Sequence, residues 1–176
     1  AWLKLPKVVA LGEIGLDYYY DDGAPRELQR KIFIEQIDVA KQMNKPIVVH
    51  NRDAHGDVMD ILKKEAKGLT GVMHCYSGSW EMAKELIKMN FFLSVGGPVT
   101  FKNSAKLPEI VAKIPLEYLL LETDCPYLTP QPYRGKRNEP AYIKIIAEKI
   151  AQIRNITVEE LAVTTTDNVK NLFGIK

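Results

Sequence analysis

Short apolar runs rich in β-branched residues alternate with longer amphipathic stretches, and this alternation restricts the chain more than any single motif. The runs are Val8-Val9-Ala10-Leu11-Gly12-Glu13, Pro46–His50, Thr70–His74, Phe91–Val95 and Tyr118–Asp124. Between them, apolar residues recur at helical spacing. Arg26 to Met43 carries Leu28, Ile32, Ile37 and Ala40 on one stripe; Asp53 is placed to cap a helix with Val58, Ile61, Leu62 and Ala66, and Ser79 one with Ala83, Leu86 and Ile87. Two helices close the chain, Pro140–Arg154 and Val158–Leu172, the second opened by a capping box from Thr157 to Glu160 and stopped by Gly174. Nearly continuous apolar strands separated by helices predict an α/β fold with a parallel sheet covered on both faces.

No linker-like shift, fixed-period repeat or low-complexity tract interrupts the chain, so residues 1–176 are expected to form a single domain. Lys and Arg number 24 against 22 Asp and Glu, a net charge of +2 that excludes a protein coating nucleic acid and leaves only local contact with it. No apolar run approaches the ~18–20 residues of a membrane span, so no membrane partner is expected. Cys75 and Cys125 cannot make a disulfide framework, which favours a reducing, cytoplasmic setting. Each cysteine follows a residue expected to point inward, so alternation predicts thiols that face the helices, buried and inert.

The chemistry lies at the strand ends. Four of the five runs end in ionisable groups of metal-ligand type, Glu13, His50, His74 and Asp124, and the fifth runs into Gly96-Gly97-Pro98. Ligands of parallel α/β sheets and barrels sit at the carboxyl ends of the strands. One such residue is readily a satisfied core group; four at a common rim are hard to obtain from packing alone. Two imidazoles with two carboxylates suit a divalent ion such as Zn, Mn or Mg. The only dense basic cluster is Arg134, Lys136 and Arg137, and a guanidinium there can hold a phosphate through two hydrogen bonds. Arg52 lies two residues beyond His50 on the same face and can also meet a phosphate oxygen. Glu122 sits one layer below Asp124, able to hold a ligating His or to pair with an arginine. Tyr18, Tyr19 and Tyr20 either stack on bases or cover the mouth of the fold, His55 falls on a helix surface, and Trp2 and Trp80 are expected to be packing residues.

Five blocks together resemble the TatD family of metal-dependent deoxyribonucleases: Gly12-Glu13-Ile14-Gly15-Leu16-Asp17-Tyr18, Val48-Val49-His50-Asn51-Arg52-Asp53-Ala54, His74-Cys75-Tyr76-Ser77-Gly78-Ser79, Leu121-Glu122-Thr123-Asp124-Cys125-Pro126-Tyr127-Leu128, and the basic loop Pro132–Pro140. The resemblance implies a TIM-type (β/α)8 barrel within the amidohydrolase-like superfamily. It also implies up to two divalent ions (Mg, Mn or Zn) in a complete site, with Glu13 bridging them, His50 and His74 holding one, and Asp124 holding the other and taking a proton from the attacking water. Glu13 and Asp124 are then the catalytic carboxylates, and Arg52, Arg134, Lys136 and Arg137 the substrate-binding residues. The substrate implied is DNA, single-stranded, degraded as a 3′-5′ exonuclease would; no stable protein partner is expected.

Two features depart from the family pattern. The His-x-His pair of the family's first strand is absent, since the histidines here are His50, His55 and His74. A (β/α)8 barrel takes about 250 residues, so 176 residues and five strands predict the C-terminal two-thirds of one, lacking about the first three βα units. Such a piece is expected to expose sheet edges at Val8–Leu11 and Tyr118–Leu121, to keep only Asp124 of the second metal site, and to show little or no activity. The ligands alone serve a carboxylic ester such as an aminoacyl-tRNA, or an amide, equally well. A truncated, non-catalytic binding module is the third possibility.

Overall fold

The structure, a computed structural model, describes residues 2–176. Strands β1 (Leu11–Asp17), β2 (Ile47–Arg52), β3 (Gly71–Met73), β4 (Phe91–Val95) and β5 (Leu119–Leu121) form one parallel sheet in the order β1-β2-β3-β4-β5. Helices α1 (Arg26–Met43), α2 (His55–Glu65), α3 (Trp80–Lys88) and α4 (Lys106–Lys113) follow the first four strands in turn, and α5 (Ile143–Arg154) and α6 (Val158–Phe173) follow β5. Consecutive strands are neighbours throughout, as successive βα units demand.

Alternation along each strand divides the apolar residues between two faces. Leu16, Ile47, Val49, Met73, Phe91, Leu93 and Leu119 face the helices, where they join Phe33, Ile37, Leu62, Leu86 and Ile146 in the main core. Val72, Phe92 and Leu120 face the other way, with Val48 and Leu172, in a smaller layer. His50, His74 and Glu122 stand two residues beyond Val48, Val72 and Leu120, so this layer is the floor under them.

Several local expectations need correction. The first strand begins at Leu11, not Val8, and runs on to Asp17, because Ile14 and Leu16 bury themselves under α1. Glu13 is therefore mid-strand rather than at a strand end. It sits in a register shift, where Leu11 pairs with Ile47 but Ile14 with Val49; such a bulge re-aims a side chain. Glycine is required on either side of it. A Cβ on Gly12 would lie 2.5 Å from Val48 Cβ, and one on Gly15 (φ +145) would lie 2.0 Å from the His50 carbonyl oxygen.

Asp53 does not cap α2: it takes a left-handed conformation (φ 54) and Ala54 stands at the N-cap. Periodicity gave no sign of α4, yet Leu107, Ile110 and Val111 bury one face of it, and Pro108 falls in the first turn, where its missing N–H is not needed. Trp2 is exposed rather than packed, whereas Trp80 packs at the core margin. The Ser79 cap, the Thr157–Glu160 capping box and the left-handed stop at Gly174 all form. Arg154 closes α4 by donating from Nη1 to the carbonyls of Val111, Ala112 and Ile114 at 3.1, 2.6 and 2.8 Å. Among the described residues no helix is long and apolar enough to cross a membrane.

Candidate metal centre

Glu13, His50 and His74 converge: each offers a ligand atom, and the three atoms lie within 4.8 Å of one another. Glu13 Oε2 is 3.8 Å from His50 Nδ1 and 3.9 Å from His74 Nε2. Those separations are too long for hydrogen bonds and leave space between the donors. Asp124 Oδ1 lies 3.4 Å from His74 Nε2, which puts the fourth expected residue beside this cluster, though not among the three converging donors. An open cleft is lined by Glu13, His74, Glu122, Thr123, Asp124, Cys125, Pro140 and Ile143.

Two further carboxylates stand behind the imidazoles. Glu122 Oε2 is 3.0 Å from His74 Nδ1, so of the two roles open to Glu122 the structure shows the histidine partner. Its Oε1 is buried with no hydrogen-bond partner. Asp17 Oδ2 is 3.0 Å from His50 Nε2. Reading residues one at a time missed Asp17; its signal was periodicity within β1 and the pairing that sets Gly15 opposite His50 and Asp17 opposite Arg52.

Four carboxylates around two imidazoles form a strongly acidic cradle. Burial opposes a charge on the metal-free His74, but the Asp124 and Glu122 carboxylates set against its two ring nitrogens, with the nearby charges of Glu122 and Glu13, overcome it and push the imidazole up to about 10. The cluster is short of positive charge, and one carboxylate with two imidazoles is a donor set that suits a borderline divalent cation. The residues present therefore fit a metal ion.

The cysteines do not face the helices. β3 ends at Met73 and β5 at Leu121, short of the expected Asp124, and the left-handed Cys75 (φ 44) and Asp124 (φ 55) lie in the loops just beyond, where strand alternation no longer holds. The Cys75 thiol instead meets Glu122; burial, then the charges of Glu122, Asp124 and Glu13, push it well above the usual thiol range. Cys125 is exposed on the cleft wall.

The basic residues are more dispersed. Arg52 stacks over Tyr19 at 3.6 Å and donates from Nη1 to the Tyr20 hydroxyl at 3.3 Å. Arg134 lies over Phe101 at 3.9 Å, and Lys136 Nζ is 5.7 Å from the centre of the Tyr133 ring; with Arg137, neither lines the cleft. Asn138, almost fully buried, ties this loop to the strand end by donating to the carbonyls of Thr123 and Tyr127 at 2.6 and 2.5 Å. Tyr18 is committed elsewhere, donating to Asp57 at 2.6 Å. His55 opens α2 and is not among the converging donors.

A family model for TatD-related DNases matches residues 1–174. The chain belongs to this family. It is 55% identical over 180 residues to the uncharacterized metal-dependent hydrolase YabD of Bacillus subtilis, covering 99% of this chain and 70% of that protein. It is 40% identical to the 3′-5′ ssDNA/RNA exonuclease TatD of Escherichia fergusonii, covering 97% and 67%. Among solved structures it is similar to YjjV, a TatD homologue from Escherichia coli K12, with a TM-score of 0.90, 32% identity and coverage of 97% and 66%. The chain spans between 63% and 70% of the length of the first curated relatives it matches.

Proposed function

We propose that this chain carries the hydrolytic centre of a divalent-metal-dependent phosphodiesterase that shortens single-stranded DNA from its 3′ end. The observation that carries the reading is the convergence of Glu13, His50 and His74, with ligand atoms within 4.8 Å of one another at the edge of an open cleft. The name of the Escherichia fergusonii relative supports the nucleic-acid substrate and the direction of attack. The five-stranded sheet is taken as the part of a (β/α)8 barrel that bears these ligands, and the two free cysteines suit a cytoplasmic setting.

Glu13, His50 and His74 would hold a Mg, Mn or Zn ion, and Asp124 would reach toward the same ion or a second one. When bound, such an ion acidifies water and offsets charge building on phosphate oxygens. The protein's own groups do the rest. Asp124 lines the cleft beside His74 and takes the proton that an attacking water releases. Glu13, which also lines the cleft, helps to orient that water. Arg52 keeps N–H groups for a phosphate oxygen while stacked on Tyr19, and the exposed rings of Tyr19 and Tyr20 suit unpaired bases. Arg134, Lys136 and Arg137 hold the backbone further along the strand.

Incubation of the chain with a 5′-labelled single-stranded oligonucleotide in Mg²⁺, Mn²⁺ or Zn²⁺, beside an aminoacyl ester, tests the reading. A ladder of products shortened from the 3′ end, lost in Asp124→Asn, is expected. Turnover of the ester alone, or of neither substrate, overturns the nuclease reading; internal cuts without a ladder overturn the exonucleolytic mode.

A further inference from the structure

We propose that Asp17 and Glu122 are positioning residues that fix the two imidazoles in opposite tautomers, so that His50 presents Nδ1 and His74 presents Nε2 toward Glu13. The proposal rests on the reading of this site as a metal centre.

A neutral imidazole has one N–H and one lone pair, on different nitrogens. An ionised carboxylate only accepts, so the nitrogen that faces it at hydrogen-bond distance carries the proton. On His50 that nitrogen is Nε2, 3.0 Å from Asp17 Oδ2, and Nδ1 is left 3.8 Å from Glu13. On His74 the pattern inverts: Nδ1 is 3.0 Å from Glu122 Oε2, while Nε2 lies 3.4 Å from Asp124 Oδ1 and 3.9 Å from Glu13, both longer than an ordinary N–H···O bond, and is the nitrogen left for an ion. A carboxylate behind each ring thus sends both lone pairs to one place. Had the two rings shared a tautomer, one of them would turn its proton on Glu13 and its lone pair on a buried or half-buried carboxylate.

Both carboxylates are themselves held. Asp17 Oδ1 accepts from the Tyr19 N–H at 3.0 Å. The Gln29 side chain, from α1, grips the Asp17 backbone by accepting from its N–H and donating to its carbonyl, each at 2.9 Å. Asp17 therefore stays on the far side of His50 from Glu13, as a support for the ring. Glu122 is fixed by its place in the sheet, where its N–H donates to the Val95 carbonyl at 3.2 Å, and by its burial between β5 and the loop after β4. Outer partners of this kind set ring orientation and ligand basicity, and their loss costs about 10–100-fold in metal affinity.

Zinc affinity of the chain, read by competition with a chromophoric chelator, is measured for Asp17→Ala, Asp17→Asn, Glu122→Ala and Glu122→Gln. The alanine variants are expected to bind zinc about 10–100-fold more weakly. Asn and Gln keep an acceptor oxygen and should recover part of that loss, which a merely structural role would not predict. Should Glu122→Ala fail to fold, the Gln variant and both Asp17 variants still decide the matter. Long-range ¹H–¹⁵N spectra of the zinc-loaded protein should show the ring proton on Nε2 of His50 and on Nδ1 of His74. The same tautomer on both rings, or affinities within twofold of wild type in both alanine variants, overturns the proposal. Wild-type protein that takes up no zinc overturns the metal-centre reading beneath it, a distinguishable result.

Discussion

Glu13 and His50, contributed by β1 and β2, keep 52% and 34% of their side-chain surface in solvent, whereas His74 and Glu122, at the ends of β3 and β5, keep 15% each. The two sides of the site make similar contacts at different depths. On the shallow side, a charge left without its partner returns to water at little cost. On the deep side, Glu122 already has one orphaned oxygen, and loss of His74 removes the partner of the other. Comparable pairs of imidazole and carboxylate thus serve two ends: the outer pair shapes a binding site, and the inner pair shapes the site and the fold together.

The largest expected effect follows directly. His50→Ala and His74→Ala should each weaken zinc binding more than about 100-fold, beyond the range that loss of an outer partner causes. Only His74→Ala should also lower stability in chelator, by about 2 kcal/mol in urea unfolding at neutral pH, because it alone leaves a buried carboxylate unpaired. Equal stability losses in the two variants would break the comparison.

A pH series sharpens it. In the metal-free protein the folded His74 imidazole is pushed up to about 10 from an ordinary 6.5. A raised folded pKa contributes stability that is fully present below about pH 6.5 and is lost as pH rises through about 10. Urea midpoints in chelator should therefore fall between about pH 6 and pH 10 by more in wild type than in His74→Gln. A pH dependence that is unchanged in His74→Gln would contradict the charge-starved cradle.

Smaller effects are expected further out. Asn138→Ala removes the donor that satisfies two carbonyls of the loop after β5 and should cost about 1–2 kcal/mol in unfolding. Arg52→Ala, on the exposed shallow rim, should leave stability within about 0.5 kcal/mol. Its KM for an oligonucleotide should rise severalfold, with that for a small phosphodiester unchanged.

The parts of this site that could be read from the sequence are those that depend on local pattern. Alternation in β2 singles out the face that carries His50, apolar runs stop close to His74 and Asp124 although β5 itself ends at Leu121, and periodicity delivers five helices. Glu13 was legible as a residue type but not as a position, because a bulge rather than a strand end turns it to the cleft. Asp17 and α4 were not legible for different reasons. Asp17 matters through a ring on the neighbouring strand, and α4 is a short helix with a proline in its first turn that only burial of Leu107, Ile110 and Val111 explains. The thiol directions failed because alternation stops at left-handed residues, and nothing in the identity of Cys75 announces one.

Anomalous diffraction from crystals loaded with Zn²⁺ or Mn²⁺ tests the central claim most directly. An ion is expected within about 2.0–2.2 Å of a Glu13 carboxylate oxygen, His50 Nδ1 and His74 Nε2. Density for the ion elsewhere, or none at these three residues under saturating metal, would contradict the account.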